Sequence, residues 1–173
     1  YFLFYKVVGY RLTVVRTNLR NSFPDKSAEE LRRIEKGFYY HLAEVMIDSI
    51  DIVSISRRQL ERRMLFDGVQ SHEQEVAGRD WIAALAHYGS WEYFAAYQFH
   101  TPSQVTGVYK ELHDDAFDRF YRHTRERFGM KTVEAKRIFR YIINNRGKGE
   151  RNLAIGLIAD QSPLYHEEYW YDF

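Results

Sequence analysis

The sequence predicts an α/β fold in which a parallel or mixed central sheet is flanked by helices and preceded by an N-terminal helical region. Three features carry the prediction. Residues 27–78 place apolar side chains at helical three- and four-residue steps, residues 79–160 alternate short continuous apolar runs with such stretches, and capping or glycine signals stand at the junctions.

In chain order, Ser27 and Glu30 form the S-x-x-E pattern of a capping box, in which each side chain satisfies a free backbone N–H at a helix start. Leu31, Ile34, Phe38, Leu42, Val45 and Ser49 then define the core-facing stripe of an amphipathic helix running to Asp51. A second helix begins at Ser56, with Gln59 in the reciprocal capping position, and stops before Gly68; Ser71–Gly78 forms a short third one. The run "WIAALA" (Trp81–Ala86) has the character of a strand buried on both faces. Trp91–Phe99 is helical in pattern, and Gln104–Lys110 reads as the next strand. Phe117, Phe120, Tyr121, Thr124 and Phe128 mark a further helical stripe, closed by Gly129 as a C-terminal cap. Glu134–Arg146 is a helix ended by the Gly147-Lys148-Gly149 turn, and Leu153–Asp160 is a last buried strand.

A chain of 173 residues, 45% hydrophobic and 17% aromatic, is the size of one domain with a real core. Lys and Arg number 25 against 24 Asp and Glu, a balance that does not suit a protein that coats nucleic acid, so no nucleic-acid partner is expected. Any anionic partner must be met by a local patch. The absence of cysteine excludes disulfides, thiolate catalysis and Cys-ligated metal sites.

The opening run Tyr1–Tyr10 is strongly apolar, yet it is broken at Lys6 and Gly9 and followed by Arg11, far short of the about 20 residues of a spanning helix. Flanked by Lys6, Arg11 and Arg16, it reads as an interfacial segment, as the tail of an anchor upstream of Tyr1, or as a helix docked on the core. The start without Met and the ending "YHEEYWYDF" read as those of a fragment of a longer chain.

The stretch "AHYGSWE" (Ala86–Glu92) sets a histidine and a glutamate between two buried segments. Ligands of an open α/β sheet bind at the carboxyl ends of its strands, which is where His87 falls. Gly89 permits a tight turn, Ser90 is a candidate N-cap, and Glu92 belongs in the first helical turn, where the dipole favours its ionised form. From there its carboxylate is expected to reach one imidazole nitrogen, leaving the other free as a general base for a hydroxyl. The plainer reading is an imidazole satisfied by backbone at a strand end, with Glu92 serving the helix alone.

The runs "GYRLTVVRTNLRNSFPDKS", "AHYGSWE", "VYKELHDDAFDRFYRHTRERFG" and "LIADQSP" resemble, in order and spacing, the lipid A late acyltransferases, a branch of the lysophospholipid acyltransferase superfamily. The resemblance covers essentially the whole chain. Its strongest element is the H-x4-D/E motif, matched by His87 and Glu92 within a block similar to H-x-G-N-W-E, in which Ser90 stands for the usual Asn. It implies a single acyltransferase domain over residues 1–173, incomplete in this length of chain: a membrane-proximal segment 1–25, a helical region 27–78 and an α/β portion 79–173 that carries the H-x4-E motif.

The implied reaction moves a fatty acyl chain from an acyl carrier protein thioester to a hydroxyl of a lipid A precursor, with a His87/Glu92 dyad as general base. Neither cofactor nor metal is required. The implied setting is the cytoplasmic face of the inner membrane, and the implied partners are acyl carrier protein, the lipid A precursor and the membrane surface. Arg125 matches the R-x-x-x-G position and is implied as oxyanion donor or phosphate ligand, the alternative being a solvated helix face shared with Arg119 and Arg122. Lys110 corresponds to the basic residue of a V-Y-R pattern and could meet a sugar phosphate as a point charge. Asp160 and Gln161 match an acidic position at a strand end, lining the same cleft or capping a loop. Two other readings remain open: a glycerophospholipid acyltransferase of the same superfamily, and a non-catalytic lipid- or partner-binding module.

Other patterns carry less. "HEQE" (His72–Glu75) lacks the second His of a zincin motif and reads as a surface helix. "HDD" (His113–Asp115) reads as a helix cap rather than a hydrated cation site, and the aromatics of "RFYRHTRERF" lie at core rather than RNA-stacking spacing.

Overall fold

A computed structural model of the protein describes residues 1–111, 114–149 and 151–160, in two compact units, Tyr1–Ser54 and Ile55–Phe173. His113 and Gln161 lie outside the described residues.

The first unit has a π-helical turn (Leu3–Val7), helix α1 (Leu12–Ser22) and helix α2 (Ala28–Asp51). The expected capping box is formed: Ser27 N–H donates to Glu30 Oε2 (2.9 Å), and Glu30 N–H donates to Ser27 Oγ (3.3 Å). The buried stripe of α2 is rotated from the expected one, running through Glu35, Tyr39 and Ala43 and leaving Phe38 exposed. Glu35 can be buried because its carboxylate accepts from Tyr5 Oη (2.7 Å) and from Arg16 Nε and Nη2 (2.9 and 3.1 Å). Tyr39 Oη in turn donates to the Tyr10 carbonyl (2.6 Å). No helix among the described residues is long and apolar enough to cross a membrane.

The second unit opens with α3 (Arg57–Arg63), capped reciprocally by Ser56 and Gln59 as expected, and α4 (Val69–Glu75). Strands β1 (Trp81–Leu85), β2 (Gln104–Tyr109), β3 (Lys131–Glu134) and β4 (Leu153–Ile158) form an all-parallel sheet in the order β1-β4-β2-β3. Between them run a 3-10 helix (Trp91–Phe99), helix α5 (Asp115–Glu126) and helix α6 (Ile138–Asn145).

Right-handed crossovers put the 3-10 helix and α5 on one face of the sheet; the chain then reverses direction across it, which puts α6 on the other face. The Thr106 hydroxyl accordingly meets Tyr141 Oη of α6 at 3.3 Å. Gln98 fixes the 3-10 helix to the start of β2: its side chain donates to the Ser103 carbonyl (2.9 Å) and accepts from Val105 N–H (2.9 Å).

Two expectations are corrected. The segment that starts the expected helix 134–146 instead contributes to β3, a four-residue edge strand too short to show a period, and α6 begins only at Ile138. Strand β1 is not buried on both faces; it is an edge strand whose Ile82 and Ala84 are exposed.

Candidate active site

Strands β1 and β4 are neighbours in register, with Leu85 opposite Ile158. Ala159 N–H donates to the Leu85 carbonyl (2.9 Å) and extends that pairing past the strand ends. His87 and Asp160, each two residues beyond the register pair, therefore face one another. The Asp160 carboxylate accepts from His87 N–H (2.9 Å) through Oδ2, and its Oδ1 lies 2.8 Å from His87 Nδ1.

An ionised carboxylate only accepts, so Nδ1 carries a proton, and in the neutral ring the lone pair then belongs to Nε2. The hydrogen bond from the His87 ring, then that from its main-chain N–H, holds the Asp160 carboxyl below its ordinary pKa of 3.8, which keeps it ionised at neutral pH. The Trp91 ring stands edge-on to the imidazole at 5.1 Å and limits its rotation. Gly89, at φ +65, makes the turn that separates His87 from the 3-10 helix.

Glu92 lies in the first turn of that helix, as the sequence predicts, but its carboxylate does not take the imidazole nitrogen. Asp160 occupies Nδ1. Both Glu92 oxygens instead accept from Arg125 of α5, from Nε at 2.8 Å and Nη2 at 2.6 Å, in the bidentate geometry that suits a guanidinium. Arg125 is 24% exposed and Glu92 11%, so the pair is largely withdrawn from water. Burial alone would lower the Arg125 pKa; the hydrogen bonds and charge of Glu92 outweigh it and leave the group above its ordinary value.

His87, Glu92, Lys110 and Arg125 all line one cavity of about 390 Å³ on the face covered by the 3-10 helix and α5. Its wall is part polar and part apolar, with Leu85, Phe94, Met130 and Ile158 beside two glycines, Gly107 and Gly156, which are register partners on β2 and β4. A Cβ at Gly107 would stand 2.7 Å from the Met130 methyl, and one at Gly156 3.2 Å from the Phe94 ring. The small residues keep the cavity open along the sheet.

Arg125 is thus part of the cavity wall, and the solvated-face alternative does not hold. The polar side chains of α5 that line the cavity are Asp118, Tyr121 and Arg125, whereas Phe117 and Phe120 of the expected stripe are exposed. Asp160, expected to line the cleft or cap a loop, is not in that wall and holds His87 instead, a pairing that no spacing in the sequence announces. His72 packs edge-on against Trp81 at 4.6 Å, and among the described residues no group of three or more His, Asp or Glu could hold a metal ion.

Residues 3–173 match the family model described as bacterial lipid A biosynthesis acyltransferase. A protein of Haemophilus influenzae named lipid A biosynthesis acyltransferase is 26% identical over 141 residues, covering 80% of this chain and 44% of that protein. The chain thus spans less than half the length of the curated relative it matches.

Proposed function

The chain belongs to the bacterial lipid A biosynthesis acyltransferase family, and from that premise we propose that it carries the general base of an O-acyl transfer to a lipid A-type acceptor. The observation that supports this most directly is the His87 imidazole held at Nδ1 by Asp160, with no partner on Nε2 among the described residues, in the wall of a cavity that is apolar in part.

Nε2 of His87 takes the proton of an acceptor hydroxyl as its oxygen attacks the carbonyl carbon of an acyl thioester. The oxyanion collapses, the C–S bond breaks, and the imidazolium returns the proton to the departing thiolate. Asp160 stays ionised and stabilises the imidazolium. Glu92 acts as a positioning residue: it fixes Arg125, whose remaining N–H groups, with the Lys110 ammonium, are the candidate donors to the oxyanion. The chemistry needs neither metal nor cofactor. The apolar part of the wall, Phe94 and Met130 included, suits an acyl chain.

In this proposal acyl carrier protein is the donor, residues 1–173 are part of one acyltransferase domain, and the reaction runs at the cytoplasmic face of the inner membrane. The exposed Phe2, Leu3, Val7 and Val8 with nearby Lys6 and Arg11 suit an interfacial contact.

The test is acyl transfer by the intact protein from acyl carrier protein thioesters to a lipid A precursor, read by mass spectrometry, with His87→Ala beside it. A product heavier by one acyl chain that vanishes in the variant supports both reaction and base. Acylation of a lysophospholipid alone would move the protein to the glycerophospholipid branch. Lipid binding without turnover on either acceptor would make it a binding module.

A further inference from the structure

A second cavity, of about 340 Å³, opens at the β3 edge of the sheet, and two of its wall residues, Tyr109 and Thr132, also line the cavity of His87. Three guanidiniums line it: Arg122 of α5, Arg137 at the residue before α6, and Arg140 of α6. Glu134 is the one carboxylate of the wall, and it is already matched, with Arg137 Nε at 2.9 Å and Lys136 Nζ at 3.5 Å. Arg122 turns toward the Tyr109 hydroxyl, and Arg140 makes no hydrogen bond or ion pair among the described residues. Like charges gathered in a hollow repel; Asp118, one helical turn before Arg122, accepts from the same Tyr109 hydroxyl at 3.2 Å, and no carboxylate of the wall is left for Arg140.

We infer that this hollow is a subsite for a phosphate ester carried by a substrate whose reacting end lies at His87. A phosphate oxygen pair fits the guanidinium fork, and Tyr141 and Asn144 in the same wall offer neutral donors beside it. Of the two residues that sequence reasoning nominated for phosphate, Arg125 is committed to Glu92, and Lys110 remains in the wall of the first cavity as a single point charge without a fork. The guanidinium forks not committed to a carboxylate sit next door, beyond Tyr109. The inference rests on the acyl-transfer reading above. The phosphate comes either from the acceptor lipid or from the phosphorylated arm that joins the donor's thiol to its carrier.

The experiment uses the intact protein with Arg140→Gln and with Arg122→Gln/Arg140→Gln, neither of which touches the pair at His87. Steady-state transfer is measured with an acceptor and its phosphatase-treated counterpart, and with a carrier-borne thioester and the same acyl thioester on phosphate-free pantetheine. The expected result is a KM raised about tenfold or more for a phosphate-bearing substrate, kcat nearly constant, and no change for its phosphate-free counterpart. A rise confined to the acceptor pair assigns the phosphate to the acceptor; one confined to the donor pair assigns it to the donor arm. Unchanged KM values, or equal losses on every substrate, overturn the subsite. If the intact protein acylates nothing, the acyl-transfer reading fails on its own, and titration with inorganic pyrophosphate decides the subsite: binding lost in the double variant upholds it, and no binding overturns it.

Discussion

His87 and Asp160, 73 residues apart in sequence, are joined by two hydrogen bonds because they stand at equal distances beyond the register pair Leu85 and Ile158 on adjacent parallel strands. One carboxylate thereby fixes both the main chain and the ring of the histidine. The side chain that orients the imidazole is the strand-end aspartate, while the glutamate of the H-x4-E spacing holds an arginine across the cavity.

Replacing Asp160 with Asn keeps the volume and removes the charge that stabilises an imidazolium. The expected outcome is a kcat reduced on the order of 10²-fold or more, with KM nearly constant and the fold retained. A kcat within twofold of the parent's would remove Asp160 from the mechanism.

The same pair makes stability pH-dependent. The Asp160 carboxyl is held below 3.8 in the folded chain, so the unfolded chain binds this proton at the higher pH. Its stabilising contribution is complete above the ordinary value and is lost as pH falls through the lowered one. Urea midpoints taken from about pH 5 down to about pH 3 should therefore drop more steeply for the parent than for Asp160→Asn. Superimposable pH profiles would contradict the pairing.

Glu92→Gln leaves the Arg125 charge in a site that is only 24% exposed. It should cost about 1–3 kcal/mol of stability, with part of the loss recovered in Glu92→Gln/Arg125→Gln, because the second change removes the stranded charge. A double-mutant cycle by chemical denaturation measures the coupling. Additive losses would show that the two groups are energetically independent.

Gly107→Ala tests the apolar end of the cavity. The new methyl meets the flexible end of Met130 at 2.7 Å, so the sulfur arm swings rather than the sheet, and the stability cost should stay near or below about 1–2 kcal/mol. The displaced methyl narrows the cavity, and the preferred acyl donor should become shorter. Competition between thioesters of graded length, read by mass spectrometry, reports the shift; an unchanged preference would place the acyl chain elsewhere.

Features under the control of local chemistry were legible before folding. Ser27 with Glu30 and Ser56 with Gln59 start their helices where the capping pattern says, because the partners are three residues apart. Gly129, at φ +93, follows α5 as a position that a side chain would strain. The apolar runs at Trp81, Gln104 and Leu153 became strands, and His87 fell at a strand end beside the cavity. Which residues pair across the chain was set by the folded topology. The order β1-β4-β2-β3 inserts the last strand beside the first, and no periodicity in either strand announces that neighbour. It is this insertion that brings Asp160 to His87, and the approach of α5 to the 3-10 helix that diverts Glu92 to Arg125. Glu35 is buried on α2 for the same reason: a charge goes inside where distant residues, here Tyr5 and Arg16, arrive to satisfy it, and that arrival is a property of the fold rather than of the spacing.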